Sequence, residues 1–130
     1  MSPTALIVED EIFVALDLER ILTDAGYQVA GIAADSRTAL EVAPGCAFAF
    51  VDVNLRGGAT GPEIARRIVQ DYGVKVVFVT ANPSQIATDI QALGYIRKPF
   101  SEKSILAAAA LATGDEPLAC ADVIPLGATA

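Results

Sequence analysis

Phe48-Ala49-Phe50-Val51-Asp52-Val53-Asn54-Leu55 is the stretch that decides how this chain reads. Four residues suited to a buried strand, Phe48 to Val51, run straight into a carboxylate at Asp52. The loop Arg56-Gly57-Gly58-Ala59-Thr60-Gly61 follows at once. An apolar run this short, aromatic and β-branched, with glycines beyond it, predicts a central strand of a parallel sheet. In open α/β sheets the chemistry sits beyond the carboxyl ends of such strands, which is where Asp52 falls.

Working outward, five strand-like runs alternate with five helical segments. Thr4 to Val8 is the first strand, closed by Glu9-Asp10-Glu11. A helix from about Glu11 to Ala25 carries Ala15, Leu18, Leu22 and Ala25 at helical spacing, and Gly26 stops it. The second strand lies near Tyr27 to Ala33, and Asp35 or Ser36 caps a short helix through Val42, ended by Pro44-Gly45. After Asp52, the cap Thr60, the early Pro62 and the acid Glu63 open a third helix, with Ile64, Ala65, Ile68 and Val69 on its buried side. Lys75 to Thr80 is almost wholly apolar, as a strand covered on both faces should be. Asn82-Pro83 opens a fourth helix carrying Ile86, Ile90 and Leu93, and Gly94 to Arg97 makes a short fifth strand. Ser101 caps an alanine-rich last helix from about Glu102 to Ala112. The alternation predicts an α/β fold, a doubly wound five-stranded parallel sheet of (βα)5 type with right-handed crossovers.

Composition bounds the rest. The 130 residues make one domain over 1–112, large enough to bury a core without staples. Residues 113–130 hold Pro117, Pro125, Gly114, Gly127, three acids and no base, and predict a tail, flexible or laid on the surface, with no effector domain. No run approaches the ~18 consecutive apolar residues of a membrane span, and no signal peptide is visible, so a cytoplasmic protein without membrane insertion is expected. Sixteen acids against nine bases, with no basic stripe, argue against direct nucleic-acid binding. Cys46 and Cys120 lack metal-ligand spacing; reduced structural thiols are the default, and their spacing leaves pairing open.

With the strand ends side by side, one site assembles: Glu9 and Asp10 from the first strand, Asp52 from the third, Thr80 from the fourth and Lys98 from the fifth. Three carboxylates in one cleft repel each other unless a cation sits among them. All-oxygen ligands favour a hard ion, and Mg²⁺ is the usual choice where phosphate is also bound. A lysine and a hydroxyl opposite the metal suit the other oxygens of a phosphoryl group in transfer to a carboxylate nucleophile.

Val-Glu-Asp-Glu after the first strand, Asp-Val-Asn-Leu after the third, Val-Thr-Ala after the fourth and Tyr-Ile-Arg-Lys-Pro-Phe at the fifth together resemble the receiver domain of two-component response regulators over about residues 4 to 112. The resemblance implies a flavodoxin-like strand order 2-1-3-4-5 and a signalling switch rather than an enzyme with an external substrate. It implies that Asp52 accepts a phosphoryl group from a phosphohistidine on a histidine kinase or phosphotransfer protein. Glu9, Asp10, Asp52 and the backbone carbonyl of Asn54 would hold Mg²⁺. Lys98, Thr80 and the backbone of Ala81 would bind the phosphoryl group, and Pro99 would follow a cis peptide. Thr80 and Tyr95 match the switch positions; their movement would change the face of the fourth helix, fifth strand and last helix for a downstream partner or a homodimer.

The chain departs from the family pattern at Arg56, where a proline is often found, in the Gly57-Gly58-Ala59-Thr60 loop, at Asn82-Pro83 and at the bulky Arg97. Asn54 and Thr80-Ala81-Asn82-Pro83 look like those of receivers tied to an atypical kinase subfamily. Each site residue also has an ordinary reading. Glu9, Asp10 and Glu11 can oppose the first helix's dipole, Asp52 can cap a turn, Thr80 suits any strand, Lys98 any solvated surface, and Tyr95 plain half-buried packing. Chemistry at four separate strand ends outweighs those readings taken together. Two competing functions remain: a receiver-like interaction module that is never phosphorylated, and a phosphatase of the haloacid-dehalogenase type. The latter normally needs a second aspartate where this chain has Asn54.

Overall fold

The computed structural model describes residues 3–55, 61–86, 92–114 and 123–125. In chain order these form β1 (Thr4–Val8), α1 (Ile12–Asp24), β2 (Gln28–Ala33), α2 (Ser36–Val42), β3 (Phe48–Asp52), α3 (Gly61–Tyr72), β4 (Lys75–Thr80), β5 (Gly94–Arg97), α4 (Glu102–Ala112) and β6 (Val123–Pro125). The sheet runs β2-β1-β3-β4-β5-β6. Its first five strands are parallel in the order 2-1-3-4-5, the flavodoxin-like arrangement expected.

Three central strands explain why the sheet closes as it does. β3 is buried at every position, and β1 and β4 at all but the first. Alternate side chains feed two core layers, the period-two geometry of a strand. Leu6, Val8, Ala49, Val51, Val76 and Phe78 pack with Ile64, Ala65 and Ile68 of α3 on one face. Ala5, Ile7, Phe48, Phe50, Val77 and Val79 pack on the other with Leu18, Ile21 and Leu22 of α1 and Ile105, Ala108 and Ala109 of α4. Within that second layer Phe48 and Phe50 meet edge to face, ring centroids 5.9 Å apart.

Caps match the expected chemistry. The Asp35 side chain accepts the Thr38 N–H at the start of α2, and Ser101 and Ser104 form a reciprocal capping box at the start of α4. Cys46 is a free, buried thiol.

Four expectations need correcting. The sheet has a sixth strand: Val123–Pro125, read as part of a tail either flexible or laid on the surface, pairs antiparallel with β5. A fourth helix does not open at Asn82-Pro83; Pro83–Gln85 is one 3-10 turn, and Ile86 is extended (φ −81, ψ 124). Leu93 precedes β5 outside any helix, and Ile90 lies outside the described residues. The proline supplies the first-turn φ and Ser84 Oγ donates to the Asn82 side chain, local bonds that compete with a regular helix. Finally, Ala25 is the exposed C-cap of α1, because the helix stops one residue earlier, and Ile21 joins Ala15, Leu18 and Leu22 in the buried stripe. Among the described residues, no helix is long and apolar enough to cross a membrane.

Candidate functional site: an acidic cleft at the strand ends

β1 and β3 are neighbours in register, Val8 beside Val51, so the residues just past them emerge together. Glu9 is pinned by its own backbone N–H, which donates to the Ala33 carbonyl at 2.9 Å. Carboxylate oxygens of Glu9, Asp10 and Asp52 all lie within 4.8 Å of one another. Glu9 and Asp52 are buried, 2% and 6% exposed, whereas Asp10 is half-buried on the rim. Lys98 supplies the compensating charge: its Nζ donates to Glu9 Oε1 at 2.9 Å and to Asp52 Oδ2 at 3.2 Å. β5 delivers that lysine, its backbone N–H bonded to the Thr80 carbonyl and its peptide to Pro99 cis.

Among the described residues one lysine bonds within a group of three carboxylates, and the chemistry of the donors fits a hard divalent cation. Burial pushes the Glu9 carboxyl up from 4.5 to about 7; its hydrogen bond with Asp52 and the Asp52 charge add to the rise, and Lys98 opposes it. Burial alone would lower the Lys98 ammonium, but its contacts with Glu9 and Asp52 outweigh burial and hold it raised. Glu9 also makes a local structural bond, since its Oε2 accepts the Glu11 N–H just ahead of α1. A structural and a chemical duty coexist in that side chain.

Asp10, Asp52, Asn54, Ala81 and Lys98 line one open cleft of about 810 Å³. Asp52 is oriented by the Asn54 N–H, which donates to its Oδ1 at 3.1 Å, leaving Oδ2 toward the lysine. Thr80 is set apart from this wall: it is fully buried, and its Oγ1 accepts the Asn82 N–H at 2.9 Å. Tyr95 lies farther along β5, half-buried against the core layer that contains Phe78 and Ile86. Arg97 is exposed, and Arg56 with the glycine loop lies outside the described residues.

Two features escaped the sequence reading. Gly61 begins α3 against the backbone of the site strand, where a Cβ would overlap the Asp52 carbonyl oxygen and come within 2.8 Å of Val53 Cα. Only a glycine lets α3 start that close, and its proximity to an aspartate-bearing strand end was the available signal. Ile12, Phe13 and Leu16 are exposed on α1, Phe13 by 84%, and Phe13 borders the acidic cleft. Their positions off the buried α1 stripe already implied solvent exposure.

Among curated proteins, the chain is 31% identical to the phyllosphere-induced regulator PhyR of Methylorubrum extorquens, over 82% of this chain and 42% of that protein. It is 32% identical to the transcriptional regulatory protein PdtaR of Mycobacterium tuberculosis, over 82% of this chain and 55% of that one. The chain thus spans about half the length of these relatives. Among solved structures, the receiver domain of the Erythrobacter litoralis PhyR response regulator superposes with a TM-score of 0.78 at 26% identity, covering 92% of this chain and 96% of that domain. The family model for the response regulator receiver domain matches residues 5–110. Because that match runs from β1 into α4 and takes in the whole acidic cleft, the chain belongs to the response regulator receiver domain family of two-component signalling.

Proposed function

We propose that this receiver takes a phosphoryl group onto Asp52 from a phosphohistidine of a histidine kinase or phosphotransfer protein and thereby changes a surface read by a partner protein. The carrying observation is the buried Asp52 carboxylate lining the cleft, with one oxygen fixed by the Asn54 N–H and the other facing Lys98. An Asp52 oxygen attacks phosphorus, the phosphorus–nitrogen bond breaks, and the histidine nitrogen leaves with the bonding pair and takes a proton. The product is an acyl phosphate on Asp52. Glu9, Asp10, Asp52 and the Asn54 carbonyl would hold Mg²⁺, which supplies neutralisation of the phosphoryl charge. Lys98, already between Glu9 and Asp52, exchanges a carboxylate for a phosphoryl oxygen, while the Ala81 N–H and the Thr80 hydroxyl bind the others. Because Thr80 is buried below the cleft wall, reaching the phosphoryl group requires it to move, and Tyr95 then follows into the space beside β4.

The relatives support a protein as the reader of this change: one matched structure is described as the anti-anti-sigma factor PhyR of Bartonella quintana. Net charge of −7 speaks against nucleic acid as the target of this chain itself. Asn54 cannot serve as the acid/base of an aspartyl phosphatase, so a signalling switch with self-dephosphorylation is the better reading. Incubation with Mg²⁺ and acetyl phosphate, followed by intact mass measurement, tests it. One phosphoryl adduct, lost in Asp52→Asn, is expected; an unmodified parent, or an equal adduct in the variant, sinks the assignment.

A further inference from the structure

β5 would form the edge of a five-stranded sheet, and an unpaired edge invites pairing by other chains. Here the chain itself occupies that edge. Val123–Pro125 runs antiparallel to β5, with Gly94 opposite Pro125, Tyr95 opposite Ile124 and Ile96 opposite Val123. Ile124 is half-buried and lines a small groove with Ile96, Phe100 and Ser104, so β6 also reaches the start of α4. Pro125 has no N–H to extend the ladder, and a three-residue strand ending in proline is a poor template for a further strand. β6 therefore covers the β5 edge with a strand poorly suited to further pairing.

The two sides of β5 are unequally held. Toward β4 it pairs parallel through Gly94, Tyr95, Ile96 and Arg97, within the buried sheet. Toward β6 it has three pairs, on the last strand of the sheet among the described residues. A displacement of β5 loads the weaker side first. Tyr95 is the residue paired to Ile124, and Lys98, the first residue after β5, bridges Glu9 and Asp52.

We propose that Val123–Pro125 is a strap over the β5 edge, and that a phosphoryl group on Asp52 unseats it. The second clause rests on the function proposed above; the first does not. By linkage, the seated strap opposes phosphoryl occupancy to the same degree that the phosphoryl group opposes the strap.

Hydrogen exchange read by mass spectrometry on the full chain decides both clauses. Without phosphodonor, Ile124→Asp speeds exchange of the β5 amides by at least about tenfold over the parent, with β1 and β3 amides unchanged and Ile124→Val close to the parent. Equal β5 exchange in parent and Ile124→Asp overturns the strap. With Mg²⁺ and acetyl phosphate, parent molecules that carry the phosphoryl adduct exchange at β5 as fast as Ile124→Asp. Phosphorylated parent that keeps its β5 protection overturns the linkage. Failure of any adduct to form sinks the function and the linkage together, whereas the strap still stands or falls on the first comparison.

Discussion

Removing divalent cations and raising the pH should destabilise this protein through one residue, Glu9. Its carboxyl is buried and pushed from 4.5 to about 7, so between those values the native state holds a proton that the unfolded chain has released. A native state that binds the extra proton loses stability as pH rises, from the ordinary carboxyl value up to about 7, and no further above it. At about 1.4 kcal/mol per pH unit the full displacement is worth about 3 kcal/mol, a large share of the 5–15 kcal/mol, roughly, that holds a domain of this size folded. The chain has no histidine, so no imidazole titrates in the same window. Asp35 shifts the other way, lowered by its hydrogen bonds with Thr38, and its contribution is lost only as pH falls below 3.8. Lys98 is raised above 10.5 and stays charged throughout. Urea unfolding in chelator, from about pH 4.5 to about pH 8, reads the slope directly. Glu9→Gln removes it, and Mg²⁺ at about a hundred times its dissociation constant restores about 3 kcal/mol at the alkaline end, where Glu9 has already released its proton and the ion binds the free carboxylate. Identical slopes in parent and Glu9→Gln, or stability that climbs with pH across the window, would refute the reasoning.

Lys98→Ala leaves Glu9 and Asp52 without their cation; it should cost about 3 kcal/mol in chelator above pH 7, and calorimetry should show Mg²⁺ binding more tightly, since the competing positive charge is gone. Gly61→Ala drives a methyl into the Asp52 carbonyl and should cost about 1–3 kcal/mol in urea unfolding while slowing phosphoryl uptake; Gly26→Ala, strained by φ +98 but with no atom in the way, should lose stability alone. Ser101→Ala opens the capping box of α4 and should cost about 1 kcal/mol by thermal unfolding, with phosphoryl uptake unchanged.

The parallel sheet could be read from the sequence because its signal is local and redundant. Phe48 to Val51 and Val76 to Val79 are apolar on both faces, and only a strand covered on both sides tolerates that. Where the signal thins, the reading fails. Val123-Ile124-Pro125 offers three residues among prolines and acids, too short for any periodicity, and its partner strand lies about thirty positions away in sequence. Asn82-Pro83 carries helix-start chemistry, yet Ile86 turns extended directly after a single turn. On α1 the fate of Ala25 hangs on where the helix stops, the least determined feature of any helical pattern.

The site divides along the same physical line. Which residues meet follows from topology, since parallel strands laid side by side must bring Glu9, Asp10, Asp52 and Lys98 to one end of the sheet. How they meet depends on distances of a few tenths of an ångström that no spacing encodes. Lys98 bonds to Glu9 and Asp52, Thr80 faces Asn82 from beneath the cleft wall, and Gly61 matters for the atom it lacks. This bears on the switch itself. Moving Lys98 off Glu9 strips a buried carboxylate of its cation, so that carboxylate must gain a proton or a divalent ion in exchange. In a chain without histidine the protonation of Glu9 and the occupancy of the metal site are then two readings of one equilibrium, and phosphoryl transfer to Asp52 should depend steeply on pH near 7 only where Mg²⁺ is scarce. Uptake rates that keep the same pH profile at limiting and saturating Mg²⁺ would break that coupling.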